Sequence, residues 1–224
     1  MEISWIDVHY STVYKIFRKW SSFNVFKIAH ETIINKIYNN GNSELLCNMY
    51  LDSTDILNKF AYESVDYTFK YLNKKATRVS IWSEELYDIP LTNNIAAPYM
   101  HDSSLTTDVI RSLPFKSKNM KRKPKNLIAD GGYINEKTKN KLRRQVNLVY
   151  PYRINQKLKN SESDNKLLKR RYKIENVNSW MKNSKRLTMR VDRIDETFRS
   201  TLYIRSLMII GKKIIKNNII IWSV

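Results

Sequence analysis

The sequence has one cysteine, Cys47, in 224 residues. A lone thiol excludes an intrachain disulfide and a cysteine-based zinc site, and makes an intracellular, reducing compartment the default. Cys47 lies in an apolar run and reads as a small buried hydrophobe. The three histidines, at 9, 30 and 101, are scattered. There are only four glycines beside abundant Asn, Lys and Ile, the composition of AT-rich coding DNA. No secretory signal pattern opens the chain. Long uninterrupted hydrophobic runs are missing too. The Ile-rich stretch from Ile204 to Trp222 is broken by Arg205, Lys212, Lys213 and Lys216, too much charge for a transmembrane helix.

Acidic residues are the other shortage: 21 Asp and Glu face 40 Lys and Arg, a formal net charge of +19. That balance favours polyanionic partners, of which nucleic acid is the commonest, with an anionic membrane surface as the competing one. The length suffices for one substantial core with a small appendage.

Residues 1–42 read as a helical, helix-turn-helix-like segment. Ser11 is the expected cap of a helix through Trp20, with Val13, Ile16, Phe17 and Trp20 at helical spacing. Lys15, Arg18 and Lys19 line its polar side as candidate DNA contacts. A second helix is expected from Val25 to Tyr38, ended by Gly41-Asn42. From residue 43 the period changes. LLCNMYLDSTDI (45–56) reads as a buried strand with Asp52 near its end and Asp55 three residues on. TRVSIW (77–82) alternates as a second strand, and a turn at Asp88 to Leu91 leads into a third. A helix is expected from Asp102 or Ser103 to Leu113. Arg111 to Lys125 holds seven cations and no acid, and reads as a solvated loop. NLIAD (126–130) is a short strand ending on Asp130, where functional groups tend to be displayed. A helix from Asn135 or Glu136 to Arg144, a strand at 146–150 and a polar linker at 155–164 follow. The order predicts a mixed α/β sheet with helices on both faces.

The last segment, Lys166 to Arg190, holds nine cations and one acid, Glu175. No Gly or Pro interrupts 167–188, so one continuous helix is expected. On it, Arg171, Glu175 and Lys182 fall within roughly 40° of one another. The bland account of Glu175 is an i,i+4 ion pair. The sharper one is a metal ligand: Asp52, Asp130 and Glu175 would converge to hold two Mg²⁺ ions, which favour hard carboxylate oxygens. Arg170, Lys185 and Arg186 would then help to grip the DNA backbone.

LDSTDI, LIADGGYINE and KRRYKIENVNSWMKN resemble the three acidic motifs of the DDE transposases of bacterial insertion sequences, in the related groups numbered four and five. STVYKIFRKWSSFNVFKIAHETI resembles the helical segment that precedes their catalytic domain, and DIPL followed by HDSSL their connection between motifs. The resemblance implies an RNase H-like catalytic domain over 43–224, preceded by a partial DNA-binding segment over 1–42. It implies a transposase that cuts and joins DNA at element ends with two Mg²⁺ or Mn²⁺ ions. Asp52, Asp130 and Glu175 match the triad, Arg171 and Lys182 the basic residues that accompany the Glu, and Gly132 and Tyr133 the glycine-aromatic pair after the second Asp. The implied partners are terminal inverted repeats and target DNA, bound by a homodimer, with no membrane. The family's Tyr three residues before the Arg is Leu168 here, and the chain is expected to begin inside the family's N-terminal region. The alternative is a catalytically silent DNA-binding remnant, with a generic Mg²⁺ nuclease behind it.

Overall fold

The computed structural model describes residues 8–39, 47–111, 124–142, 146–152 and 159–219. Two helices come first, α1 (Tyr10–Ser22) and α2 (Val25–Asn39). Asn24 between them is left-handed, with φ of 53°, a conformation Asn tolerates better than most residues. The cap of α1 is His9 rather than Ser11: the His9 imidazole accepts the Ser11 amide at 3.3 Å. Helix α1 leaves Val13, Ile16 and Trp20 exposed. Helix α2 instead buries Ile34, Ile37 and Tyr38 against Met49, Leu51 and Trp82.

His30 also fastens α2 to the body. Its Nε2 donates to the Pro90 carbonyl at 2.9 Å, which leaves Nδ1 bare and, among the described residues, unpartnered in the interior. Burial therefore lowers its pKa to about 4, with the Pro90 contact opposing. A group whose native pKa is depressed below the unfolded 6.5 takes up its proton more readily when unfolded. Stability should thus fall as pH drops from about 6.5 to about 4, by a total of about 3 kcal/mol. Denaturant unfolding across that range should show the slope in the wild type and lose it in His30→Gln; equal slopes would rule the assignment out.

The sheet is built from β1 (Asn48–Asn58), β2 (Asp66–Thr68), β3 (Lys74–Glu84), β4 (Pro90–Ala96), β5 (Asn126–Ile128), β6 (Asn147–Val149) and β7 (Met189–Arg190). Its central path runs β2-β3-β1-β5-β6, with β4 also on β3 and β7 on the end of β1. Strand β3 pairs antiparallel with β1 and β4; β5 pairs parallel with β1, and β6 parallel with β5. This is the RNase H-like mixed sheet the motifs imply.

The helices that follow are α3 (Asp102–Arg111), α4 (Glu136–Leu142), α5 (Glu162–Lys169), α6 (Tyr172–Lys182), α7 (Lys185–Thr188) and α8 (Asp195–Asn217). Alternation along the strands divides the core. Met49, Leu51, Leu127 and Ala129 face α2 and Tyr133. Tyr50, Ile81 and Ile128 face Ile174, Val177 and Met181 of α6 and Phe198 and Leu202 of α8. Among the described residues no helix is long and apolar enough to cross a membrane.

The single helix expected over 167–188 is three helices. At the first break the Arg170 and Arg171 amides bond to the carbonyls of Leu167 and Leu168, and the Lys173 and Ile174 amides to those of Arg170 and Arg171, all three residues back. This tighter hydrogen-bond step redirects the axis without Gly or Pro. The second break comes at Ser184, whose backbone is extended. Gly41-Asn42, 112–123, Arg144 and 153–158 lie outside the described residues.

Candidate active site

Strand β1 presents Tyr50 and Asp52 to the face on which α6 packs. The β1–β5 register pairs Asn48 with Asn126 and Tyr50 with Ile128. Carried two residues further, that register sets Asp130 level with Asp52. Asp130 has an extended backbone and caps the short 3-10 turn Gly131–Tyr133, its carboxylate accepting the Gly131 amide at 2.7 Å. The turn holds Gly132 exposed and buries Tyr133.

Asp52 is half-buried and held at both oxygens. Asn178 Nδ2 on α6 donates to Oδ2 at 2.8 Å, and the Tyr133 hydroxyl approaches Oδ1 at 3.5 Å. One contact comes from the helix that carries Glu175, the other from the turn that follows Asp130. Burial pushes the Asp52 carboxyl above the usual range, opposed by the Ser53 amide, Arg171 and Lys70, while the Glu175 charge adds to the rise.

Glu175 stands in the first turn of α6, exposed, with Arg171 at 3.8 Å one turn before it. The i,i+4 ion pair therefore exists, and at such exposure contributes a few tenths of a kcal/mol. Lys182 ends the same helix, half-buried. Burial lowers its pKa, opposed mainly by Asp55 and, more weakly, by Asp52.

Three hard carboxylates at one end of one sheet are the donor chemistry that Mg²⁺ or Mn²⁺ requires. Their placement on β1, the β5 turn and α6 fits such ions. Their side chains are not drawn together: among the described residues no three acids, histidines or cysteines are close enough to hold a metal ion. Asp130 is turned to its own backbone and Glu175 toward Arg171.

Of the other expected DNA contacts, Lys15, Arg18 and Lys19 on α1 and Lys185 on α7 are exposed. Arg170 reaches Glu85 at 2.9 Å and Arg186 reaches Asp192 at 2.7 Å, so part of each guanidinium is already engaged. Arg190 leaves the cationic surface altogether. It is fully buried and donates to Thr77, to the carbonyls of Glu63 and Asp192, and to Asp195 at 2.8 Å. Asp55, the second acid of LDSTDI, is buried against Arg78 at 3.0 Å and Thr68 at 2.8 Å, and Arg78 reaches on to Asp102.

Sequence reasoning missed two neighbours of the site. Lys70, exposed on the turn Phe69–Tyr71, is close enough to act on Asp52 electrostatically. Its only signal was the basic run around it. Asn178 lay inside the third motif, three residues after Glu175 and so on the same helical face. The turn after β3 also shapes the site, because it holds the start of α6: Lys173 Nζ donates to the Glu85 carbonyl at 2.6 Å and sits 3.8 Å from Asp88.

The sequence model described as "Transposase DDE domain" matches residues 51–209, a span that contains all three acids. No curated protein matches. Among solved structures, the chain is similar to piggyBac transposase in a synaptic complex with hairpin DNA (TM-score 0.51, 8% identity, 79% of this chain and 49% of that one). It also aligns with the catalytic domain of Mos1 mariner transposase (TM-score 0.34, 11% identity, 84% of this chain and 93% of that one). The chain thus spans about half the length of the piggyBac chain, and at that identity the likeness concerns the fold. With more than half of its residues under one family description, including each strand end and helix that carries an acid, the chain belongs to the transposase DDE domain family.

Proposed function

We propose that this protein cuts and joins DNA strands at the ends of a mobile element, with Asp52, Asp130 and Glu175 holding two Mg²⁺ or Mn²⁺ ions. The observation that carries this reading is the tethering of Asp52: its two oxygens are reached from the turn after Asp130 and from the helix of Glu175. When bound, the ions supply Lewis-acid chemistry that activates a water or a 3′-hydroxyl and stabilises the leaving oxygen at phosphorus. The chain's own part is to orient the carboxylates and to hold the DNA backbone. Arg171, Lys182 and Lys70 surround Asp52 with positive charge, where phosphates would otherwise be repelled by three acids. The exposed Lys15, Arg18 and Lys19 of the 1–42 segment extend that grip, with Lys185, Arg170 and Arg186 beside the third motif.

Purified protein mixed with its flanking DNA and Mg²⁺ or Mn²⁺ tests the reading: strand cleavage dependent on the ion is expected, and its absence on every DNA tried would overturn it. The second reading, a DNA-binding remnant without cleavage, is favoured by the separation of the three carboxylates. Both readings share one expectation. DNA affinity should fall steeply with salt, by 10³-fold or more between roughly 50 and 200 mM if about six phosphates are neutralised. Binding that ignores salt over that range would remove DNA as the partner.

A further inference from the structure

We propose that Asn178 is a positioning residue of the metal site, fixing the Asp52 carboxylate from α6. The inference rests on the reading just given. Asn178 is buried, with 8% of its surface exposed, on the α6 turn that follows Glu175. Its Nδ2 spends one hydrogen bond on Asp52 Oδ2 at 2.8 Å. Its Oδ1 is buried without a partner among the described residues. A buried amide that leaves its carbonyl unsatisfied is costly, and packing alone would be met as well by a leucine of similar size.

The geometry gives the amide a task that packing does not. Asp52 sits on a strand and Glu175 on a helix, and Asn178 is the hydrogen bond that ties the two elements at the level of the site. Tyr133 approaches the other Asp52 oxygen at 3.5 Å, a weaker hold, and the Ser53 amide comes from Asp52's own strand, so Asn178 is the short hydrogen bond that fixes the carboxylate from another element. With an ion bound, the spare Oδ1 would be open to accept a hydrogen bond from the ion's hydration shell, an outer-shell role. Asn178 would not touch the reacting phosphate; it acts through Asp52.

The test uses the full chain, with Mn²⁺ titrated by calorimetry and cleavage measured against Mn²⁺ concentration. Asn178→Leu keeps the volume and removes both polar atoms. Mn²⁺ affinity should fall 10–100-fold. The Mn²⁺ concentration for half-maximal cleavage should rise by a similar factor, with much of the rate restored at saturating ion. DNA affinity without metal and the thermal midpoint of the metal-free protein should stay near wild type. A merely structural role would shift the midpoint and leave Mn²⁺ affinity alone, and that result overturns the proposal. If Asn178→Leu fails to fold, Asn178→Ser, too short to reach Asp52, carries the same expectations. Wild-type protein that takes up no Mn²⁺ would overturn the proposed function, and this inference with it, whereas wild-type uptake matched by the variant would overturn the inference alone.

Discussion

Glu175→Gln should abolish most DNA strand cleavage while leaving DNA binding intact or improved. The amide matches the carboxylate in size and helix propensity, so α6 should keep its place. What is lost is one full negative charge and a hard ligand. Ion stabilisation of a phosphoryl-transfer transition state is worth several kcal/mol, and each 1.4 kcal/mol is about tenfold in rate; a drop of at least about 10³-fold is expected. DNA affinity should hold because an acid beside phosphates has been removed. The competing account makes Glu175 only the partner of Arg171, 3.8 Å away and mostly exposed. On that account the substitution changes stability by well under about 1 kcal/mol and cleavage not at all. Single-turnover cleavage of wild type and variant at matched Mn²⁺ decides the matter. Undiminished cleavage by the variant would end the role assigned to Glu175.

Arg190→Met should cost about 3–5 kcal/mol of stability, the range for removing one partner of a buried ion pair. Methionine keeps the straight stem against the Phe198 ring, over which the guanidinium now lies at 4.6 Å. It supplies none of the hydrogen bonds that hold Glu63, Thr77, Asp192 and Asp195. Asp195 would keep its charge with no cation against it, at the start of α8. Since native domains are stable by only about 5–15 kcal/mol, a loss of that size is a large share of the total and should lower the urea midpoint markedly. Urea unfolding of the variant measures the loss; a cost below about 1 kcal/mol would show that Arg190 is dispensable to the fold.

Arg190 also shows where the sequence was hard to read. It closes a run of nine cations, and charge alone counts it with the surface set. Its burial depends on Glu63, Thr77 and Asp195, which no local pattern links to it. The break between α5 and α6 was hidden for the same reason. Nothing at Arg170–Arg171 disfavours helix, but Arg170 pairs with Glu85, 85 positions away in sequence, and the tertiary contact outweighs local propensity. Strand β2, three residues long, was too short for its alternation to register. By contrast β1, β3 and β5 were legible, since each carries apolar residues at strand period or as a bounded run. The placement of Asp130 at a strand end was legible because two glycines follow it. That Asp52 and Asp130 each stand two residues past the last β1–β5 pair was not, because it is a property of that pairing and not of either segment.

That pairing has a consequence for how length can vary in this chain. Asp52 and Asp130 each lie two residues beyond the last paired residues of β1 and β5, Tyr50 and Ile128, so that pairing sets their level. Doubling a flexible loop within the stretch between them would cost only about 0.6 kcal/mol of closure entropy, but β2, β3, β4 and α3 also lie there, and Lys70, Glu85 and Asp88 act on the site from it, so only a loop clear of them can lengthen without touching the chemistry. A slip of β5 by a single residue is the opposite case. It leaves the chain length untouched but turns Asp130 to the α2 side of the sheet and Ala129 toward α6. Tolerance and intolerance thus lie side by side in one segment, the first set by polymer entropy and the second by the two-residue period of a strand.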